Sequence, residues 1–150
     1  MDIESLLRCL NARSAEYVVI GATAFPAHGY ARATLDIDLF IRPTPDNAAR
    51  VRAALIAFGY DLSDVSLEDL IQRKILIRQY VIETDIHPFV KGVRFEDVWA
   101  RRVEDRLGET PTSFASLDDL ITMKEAAGRP KDLEDLRVLR ELRLRRSGGR

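Results

Sequence analysis

The fold of this chain is decided by residues 17–41, which run YVVIGATAFPAHGYARATLDIDLFI. The apolar residues Tyr17–Ile20 predict a short buried strand, and Gly21 ends it. The following segment, 22–29, favours a short helix or turn that closes at a glycine. A strand, a tight glycine turn and a second strand therefore follow one another within 25 residues.

Alternation over Asp36–Ile41 predicts that second strand and gives it two unlike faces. The apolar face comprises Ile37, Leu39 and Ile41, and the other face comprises Asp36, Asp38 and Phe40. The two carboxylates lie about 7 Å apart along such a strand and repel, which a proton, an arginine or a divalent metal ion relieves. With a glycine that lets backbone N–H groups approach a phosphate, they predict a metal–nucleotide site. An exposed strand with solvated acids is the alternative.

A two-metal site needs a third carboxylate, because one metal ion must also activate the attacking oxygen. Residues 81–88 supply candidates in the run VIETDIHP. Alternation places Glu83 and Asp85 on one side of a strand there and the apolar residues on the other. Asp85 is the preferred third ligand, and Glu83 is the reserve.

The rest of the chain predicts helices and one further pair of strands. Residues 75–86 are rich enough in branched side chains for two adjacent strands. Helices are predicted over 2–14, from Pro45 to Phe58, after the cap Ser66, over 94–102, after the cap Ser116 to Ala127, and from Pro130 to about Arg145. This order predicts an α/β or α+β fold, a small mixed sheet packed by helices, with C-terminal helices.

Composition bounds the class of protein. The chain has 150 residues, a formal charge of −1, 46% hydrophobic residues and one cysteine. These values predict a single domain over 1–145 and a basic flexible tail over 146–150, and they exclude a disulfide framework. Because the longest apolar stretch is broken by Gly21 and Pro26 and the amino terminus is acidic, we expect a cytoplasmic protein with no membrane partner.

The charge is unevenly distributed along the chain. Residues 137–150 hold six arginines and one acid, whereas residues 1–136 carry an excess of acids. Such a basic segment could contact a polyanion. The favoured interpretation is a solvated helix end whose arginines complement the helix dipole.

The motifs resemble those of the DNA polymerase β-like nucleotidyltransferase superfamily. The pattern is a hydrophobic strand, a glycine with a small residue, a gap, and then Asp36-Ile-Asp38, with Asp85 in place of the third carboxylate. The form Arg32-x-Thr34-x-Asp36 is similar to the small bacterial branch that includes AbiEii-like toxins. Residues 120–136, LITMKEAAGRPKDLEDL, resemble the Lys…Arg-x-Lys-Asp-x-x-Asp signature of that branch.

This resemblance implies a nucleotidyltransferase fold that uses two Mg²⁺ ions and an NTP. Asp36 and Asp38 would bridge the metal ions to the triphosphate, and Asp85 would bind the catalytic metal ion and favour deprotonation of the acceptor hydroxyl. The nucleotide-binding candidates are Gly21, Ala22, Thr23, Arg32, Thr34, Lys124, Arg129 and Asp132. The acceptor would be an RNA such as tRNA, or a protein, in a system with a possible antitoxin partner.

One departure from the family pattern leaves a second function open. The residue after Gly21 is Ala22, where the family usually has Ser or Gly, although Thr23 follows immediately. A catalytically silent nucleotidyltransferase-like module that binds a protein or nucleic-acid partner is therefore the alternative.

Several other polar residues have ordinary structural interpretations. His87 is expected to end its strand as a hydrogen-bonding residue rather than to act in the site, and His28 to end a helix. Cys9 is expected to fill space in the core. Residues 128–132 either cap two successive helices or belong to the nucleotide site, and the sequence leaves both open.

Overall fold

The computed structural model describes residues 2–31 and 34–148, and its six strands form one mixed sheet in the order β3-β4-β2-β1-β6-β5. The strands are β1 (Tyr17–Ile20), β2 (Asp36–Ile41), β3 (Ile75–Ile77), β4 (Glu83–His87), β5 (Val103–Leu107) and β6 (Thr110–Phe114). The helices are α1 (Ile3–Ala12), α2 (Pro45–Phe58), α3 (Leu67–Gln72), α4 (Phe95–Ala100), α5 (Leu117–Ala127) and α6 (Leu133–Gly148). A 3₁₀ helix spans Gly21–His28, and a 3₁₀ turn spans Pro130–Asp132. The predicted α/β class is confirmed.

The strand β2 lies inside the sheet and fixes the geometry of the acidic residues. It pairs antiparallel with β1 and parallel with β4. In this register Asp38 lies opposite Asp85 on β4 and opposite Ile20 on β1, and Asp36 lies opposite Glu83. The predicted carboxylates of the two strands are therefore direct neighbours across one parallel pair.

The two faces of β2 are covered differently. Ile37, Leu39 and Ile41 are fully buried, as the alternation predicts. On the other face Phe40 is also buried, because its ring packs edge-to-face against Phe95 of α4 at a centroid distance of 5.2 Å. Towards Asp36 that face is open, since Asp36 is exposed and Asp38 is half-buried. The helix α4 therefore closes one end of the face and leaves the acidic end accessible.

The helix boundaries follow the capping residues that the sequence predicts. Ser66 forms a capping box with Asp69, and the side chain of Ser116 accepts a hydrogen bond from the Asp119 N–H. Gly128 ends α5 in the left-handed region, where glycine carries no Cβ penalty. The last helix differs from the prediction, because Pro130 opens a 3₁₀ turn and α6 follows from Leu133.

The hairpin β5–β6 is the one element of the sheet that no pattern predicted. Its inward-facing residues on β6 include Thr110 and Thr112, so the apolar alternation that marks a strand is weak there. Pro111 also argues against a strand. The hairpin nevertheless joins the sheet through β6, which pairs parallel with β1.

The helices pack in pairs, with α1 against α2 and α5 against α6. A lipid bilayer could not be spanned by any of the helices that the structure describes.

Candidate active site

A cleft of about 590 Å³ opens over the acidic end of β2 and β4. Its floor is the sheet, where Asp36, Asp38, Asp85 and His87 face the opening. One wall is the start of the 3₁₀ helix, with Gly21 and Ala22. The other walls carry cations and acids from the neighbouring segments, namely Lys74, Lys91, Lys124, Arg129, Lys131, Asp132 and Asp135. The cleft therefore combines an acidic floor with a largely basic rim.

Three side chains on the floor offer metal ligands close together. Ligand atoms of Asp38, Asp85 and His87 all lie within 4.8 Å of one another, and we call these residues the cleft cluster. Two carboxylates and an imidazole fit a divalent cation such as Mg²⁺ or Mn²⁺, the imidazole favouring Mn²⁺. Asp36 lines the same cleft but lies outside this cluster. It precedes Asp38 by two residues on β2 and lies opposite Glu83.

His87 belongs to the cleft cluster, although the sequence favoured a strand-end role for it over a role in the site. Its Nε2 lies 2.8 Å from Asp38 Oδ1, so the ring fixes the direction of that carboxylate. The signal for this role was its position two residues after Asp85, on the same face of β4. Its place beside Pro88 favoured a strand-end interpretation instead.

Asp85 is held by cations from the segment that precedes β4. Arg78 donates to Asp85 Oδ1 at 2.7 Å, and Lys74 Nζ lies 3.8 Å from Asp85 Oδ2. Arg78 Nε also lies 3.7 Å from the carboxylate of Glu83, the reserve ligand, whose side chain is 48% exposed. Neither Arg78 nor Lys74 was predicted from sequence. The two residues flank β3, and the antiparallel register of β3 with β4, which leaves no local pattern, brings them beside Asp85.

Gly21 is required at its position for two reasons. Its φ is +71°, in the left-handed region. A Cβ built there would also lie 2.6 Å from Asp38 Oδ2. The glycine turn and the β2 carboxylate are thus in contact, which brings the first backbone N–H groups of the 3₁₀ helix beside the cleft cluster.

The two threonines near this turn have different surroundings. Thr34 lines the cleft, and its Oγ1 accepts a hydrogen bond from the Asp36 N–H at 3.0 Å. Thr23 is buried and donates to the Asp36 carbonyl at 2.5 Å, so its hydroxyl ties the 3₁₀ helix to the start of β2. Thr23 is not among the residues that line the cleft, and Arg32 lies outside the described residues.

The Lys…Arg-x-Lys-Asp-x-x-Asp segment forms an ion-pair network in which Lys124, Asp132 and Asp135 are largely buried and Arg129 is half exposed. Lys124 Nζ lies 3.0 Å from Asp132 and 3.3 Å from Asp135, and Arg129 donates to Asp132 at 2.8 Å. Hydrogen bonds from Arg129 and then Lys124 lower the pKa of Asp132 to about 2. The Asp132 carboxylate is therefore bound to side-chain cations, and the network forms one wall of the cleft.

His28 and Cys9, the other two residues considered in the sequence, lie away from the cleft lining. His28 ends the 3₁₀ helix, as predicted, and its Nε2 lies 2.8 Å from the Ala115 carbonyl. Burial lowers the pKa of His28, and the nearby Arg146 acts in the same direction. Cys9 is partly buried against the core.

The arginines of α6 are largely engaged in ion pairs with neighbouring acids. Arg137 pairs with Glu134 and Glu141 on its own helix. Arg140 and Arg143 pair with Glu125 and Asp118 on α5. This arrangement supports the interpretation of a helix end that complements local charge over that of a basic surface kept for a polyanion.

The chain matches the model of a protein family over most of its length. The model of the family described as "Nucleotidyltransferase of unknown function (DUF6036)" matches residues 1–142. No curated protein matches the chain.

Proposed function

Because the chain belongs to the nucleotidyltransferase family DUF6036, we propose that it transfers a nucleotide from an NTP to a hydroxyl acceptor in a metal-dependent reaction. The observation that carries the proposal is the cleft cluster. Two carboxylates from adjacent parallel strands and one imidazole converge within 4.8 Å at the base of a cleft with cationic walls. Such a donor set suits a divalent cation, and such walls suit a polyphosphate.

The residues of the cleft would have different roles in the reaction. Asp38 and Asp85 would hold the metal ion, with His87 as a third ligand or as the group that orients Asp38. Asp36, further along the same floor, would complete a site for two Mg²⁺ ions. When bound, the metal ions neutralise phosphate charge and favour the ionised acceptor. The backbone N–H groups at Gly21 and Ala22, together with Thr34, would orient the phosphates.

The transfer itself is a single displacement at phosphorus. The acceptor oxygen forms a bond to the α-phosphorus while the bond to the bridging oxygen of the β-phosphate breaks. Pyrophosphate leaves, and the hydroxyl proton passes to water beside Asp85. Lys124 and Arg129 at the cleft wall would hold the charge of the departing group, Lys124 as a point charge and Arg129 as a fork.

The finer assignment rests on the resemblance of the motifs. The Arg32-x-Thr34-x-Asp36-Ile-Asp38 form and the Lys124 to Asp135 signature support the AbiEii-like branch. On that basis the acceptor would be an RNA such as tRNA, or a protein, and the chain would be the toxin of a toxin–antitoxin pair.

Transfer of radiolabel from each α-labelled NTP, with Mg²⁺ or Mn²⁺ and total RNA or cell protein as acceptor, tests this proposal. We expect label to enter one acceptor class and to be lost in Asp38→Asn, which keeps the hydrogen bond to His87 but removes the charge. Asp64→Asn is the matched control, because Asp64 is an exposed aspartate remote from the cleft lining. Labelling that survives Asp38→Asn would refute the metal-dependent role.

A silent binding module is the second candidate, and one observation favours it. Each carboxylate of the cleft cluster already faces a cationic or hydrogen-bonding group, Asp85 facing Arg78 and Asp38 facing His87. Ala22, where the family usually has Ser or Gly, also lacks the hydroxyl that a serine would supply. Absence of label from every acceptor, with no thermal shift on addition of metal ion and any NTP, would favour this function.

A further inference from the structure

The environment of Asp85 is unusual for a metal ligand, because both of its oxygens face a cation of the same chain. Arg78 donates to Oδ1 at 2.7 Å and Lys74 lies 3.8 Å from Oδ2. A metal ion that binds Asp85 must compete with the nearer of these groups, since a carboxylate oxygen in a 2.7 Å charge-assisted bond has less electron density to offer.

Arg78 is placed so that it can leave Asp85 without disturbing the fold. It follows the edge strand β3, which has only three residues. Its side chain is 42% exposed, and its other contacts are the Ile77 carbonyl at 3.2 Å and Glu83 at 3.7 Å. These are exposed interactions on a long side chain, and such interactions contribute little to stability.

On the opposite wall of the cleft, Lys124 and Arg129 are both bound to acids, and the exposed Lys91 and Lys131 also line the cleft. Lys124 is bound by both Asp132 and Asp135, and its side chain is only 16% exposed. Arg129 donates two hydrogen bonds to Asp132. Much of their charge is therefore already neutralised, whereas Arg78 would be released as soon as Asp85 accepted another cation.

We propose that Arg78 is a polyphosphate-binding residue that covers Asp85 until a metal–polyphosphate complex enters the cleft and then moves to the phosphates. The proposal rests on the proposed function, because it needs Asp85 to bind a metal ion. The guanidinium is a planar fork that matches two phosphate oxygens, and its departure from Asp85 and arrival at the phosphates exchange one charge-assisted pair for another.

The proposal makes Arg78 oppose one binding event and support another. Without polyphosphate, Arg78 competes with the metal ion for Asp85. With polyphosphate, it adds an attractive contact. Removal of the guanidinium should therefore strengthen binding of the metal ion alone and weaken binding of the complex, and no purely structural role of Arg78 predicts opposite signs.

Two titrations of the full chain measure these two affinities. The first follows Mn²⁺ alone by the electron paramagnetic resonance signal of free Mn²⁺. The second follows preformed Mn²⁺–tripolyphosphate by isothermal titration calorimetry, which avoids any choice of base. In Arg78→Ala we expect Mn²⁺ alone to bind about threefold more tightly and the complex about tenfold more weakly, the latter being the loss of one charge-assisted contact.

Two further variants interpret the result. Arg78→Lys keeps the charge but not the fork, so we expect it to bind Mn²⁺ alone like the wild type and the complex with an intermediate loss. Arg73→Ala removes an exposed arginine that pairs with Asp69 rather than with a residue of the cleft cluster, and we expect neither affinity to change.

The outcomes separate this proposal from the proposed function. Both affinities falling in Arg78→Ala, or both matching Arg73→Ala, would overturn the role of Arg78 while leaving the metal site intact. A wild-type protein that binds neither Mn²⁺ nor the complex would overturn the metal site and, with it, the role of Arg78.

Discussion

Asp85 and Asp132 each lie between two cations of the same chain, yet their surroundings differ. The side chain of Asp85 is 18% exposed at the cleft floor and faces Arg78 and Lys74, which are 42% and 52% exposed. The side chain of Asp132 is 2% exposed and contacts Lys124, which is 16% exposed, and Arg129, which is 52% exposed. The difference therefore lies in the acid itself and in its buried partner Lys124. The first acid can exchange its partners for a ligand at little cost. The second cannot, because breaking a buried pair leaves an uncompensated charge.

One cleft can therefore contain both a reactive centre and a rigid wall. An ion pair stabilises a fold most when neither partner has water as an alternative. On this basis we assign the cleft cluster to chemistry and Asp132 chiefly to the shape of the cleft wall. Four predictions test that assignment.

The largest expected effect is on activity in Asp85→Asn. We expect nucleotide transfer to fall at least about 100-fold, since loss of a direct metal ligand exceeds the loss caused by outer residues that orient one. The free energy of unfolding should be nearly unchanged, because the pairs of Asp85 are exposed. Initial rates with labelled NTP and urea unfolding of the same preparation measure both. Strong destabilisation with intact transfer would reverse the assignment of the two acids.

Asp132→Asn should show the opposite pattern. We expect the free energy of unfolding to fall by about 3 kcal/mol, because Lys124 keeps only Asp135 as a buried counter-charge and the paired Arg129 loses its partner. Mn²⁺ affinity should stay near that of the wild type, since Asp132 is outside the cleft cluster. Urea unfolding and Mn²⁺ titration are the measurements, with Asp118→Asn as the control on an exposed aspartate. A protein of unchanged stability that has lost Mn²⁺ binding would move Asp132 into the metal site.

The contrast between the two acids was only partly accessible from sequence. Alternation placed Asp36, Asp38 and Asp85 on strand faces correctly, because period-two geometry is local. That Asp38 lies opposite Asp85 depends on the parallel pairing of β2 with β4, which joins strands more than 40 residues apart and leaves no local pattern. Asp85 was chosen as the third carboxylate from the need of a two-metal site and from strand alternation, and it matched the resemblance, but neither gave the register.

Side-chain partners were the least predictable feature. For residues 128–132 the sequence left capping and a site role open. The structure shows Gly128 capping α5, and it places Asp132 in the cleft lining, bound to Lys124 and Arg129. His87 ends β4 as a hydrogen-bonding residue, as expected, but the sequence did not show that its partner is Asp38 on the neighbouring strand. In each case the partner comes from a different element, so the contact depends on tertiary packing. The hairpin β5–β6 was missed for a local reason, since its inward-facing threonines and Pro111 resemble a loop.

The contribution of Asp132 to the free energy of unfolding should depend on pH. The folded pKa of Asp132 is about 2 against an ordinary value of 3.8, chiefly through the hydrogen bond from Arg129. A lowered folded pKa means that the contribution is complete above pH about 4 and is lost as the pH falls towards 2. The contribution is roughly 2 kcal/mol.

Urea unfolding of the wild type and Asp132→Asn at several values between pH 6 and pH 2 measures this contribution. Groups common to both proteins cancel in the difference between them. We expect that difference to narrow by roughly 2 kcal/mol over the acid range. A difference that stays constant down to pH 2 would show that the Asp132 carboxylate is not stabilised by its cations.

The smallest expected effect concerns the glycine turn that contacts the cleft cluster. Gly21→Ala places a side chain at a φ of +71° and 2.6 Å from Asp38 Oδ2, so Asp38 must rotate. We expect a loss of about 1 kcal/mol in stability from the backbone conformation and a loss of Mn²⁺ affinity from the displaced carboxylate.

Gly29→Ala is the matched control, because its φ is +95° but its nearest neighbour is Leu142 at 3.9 Å. Both variants should lose similar stability, whereas only Gly21→Ala should weaken Mn²⁺ binding. Equal Mn²⁺ affinity in the two variants would mean that the orientation of the Asp38 carboxylate does not depend on the turn. The geometry of the cleft cluster would then be set by the strand register alone.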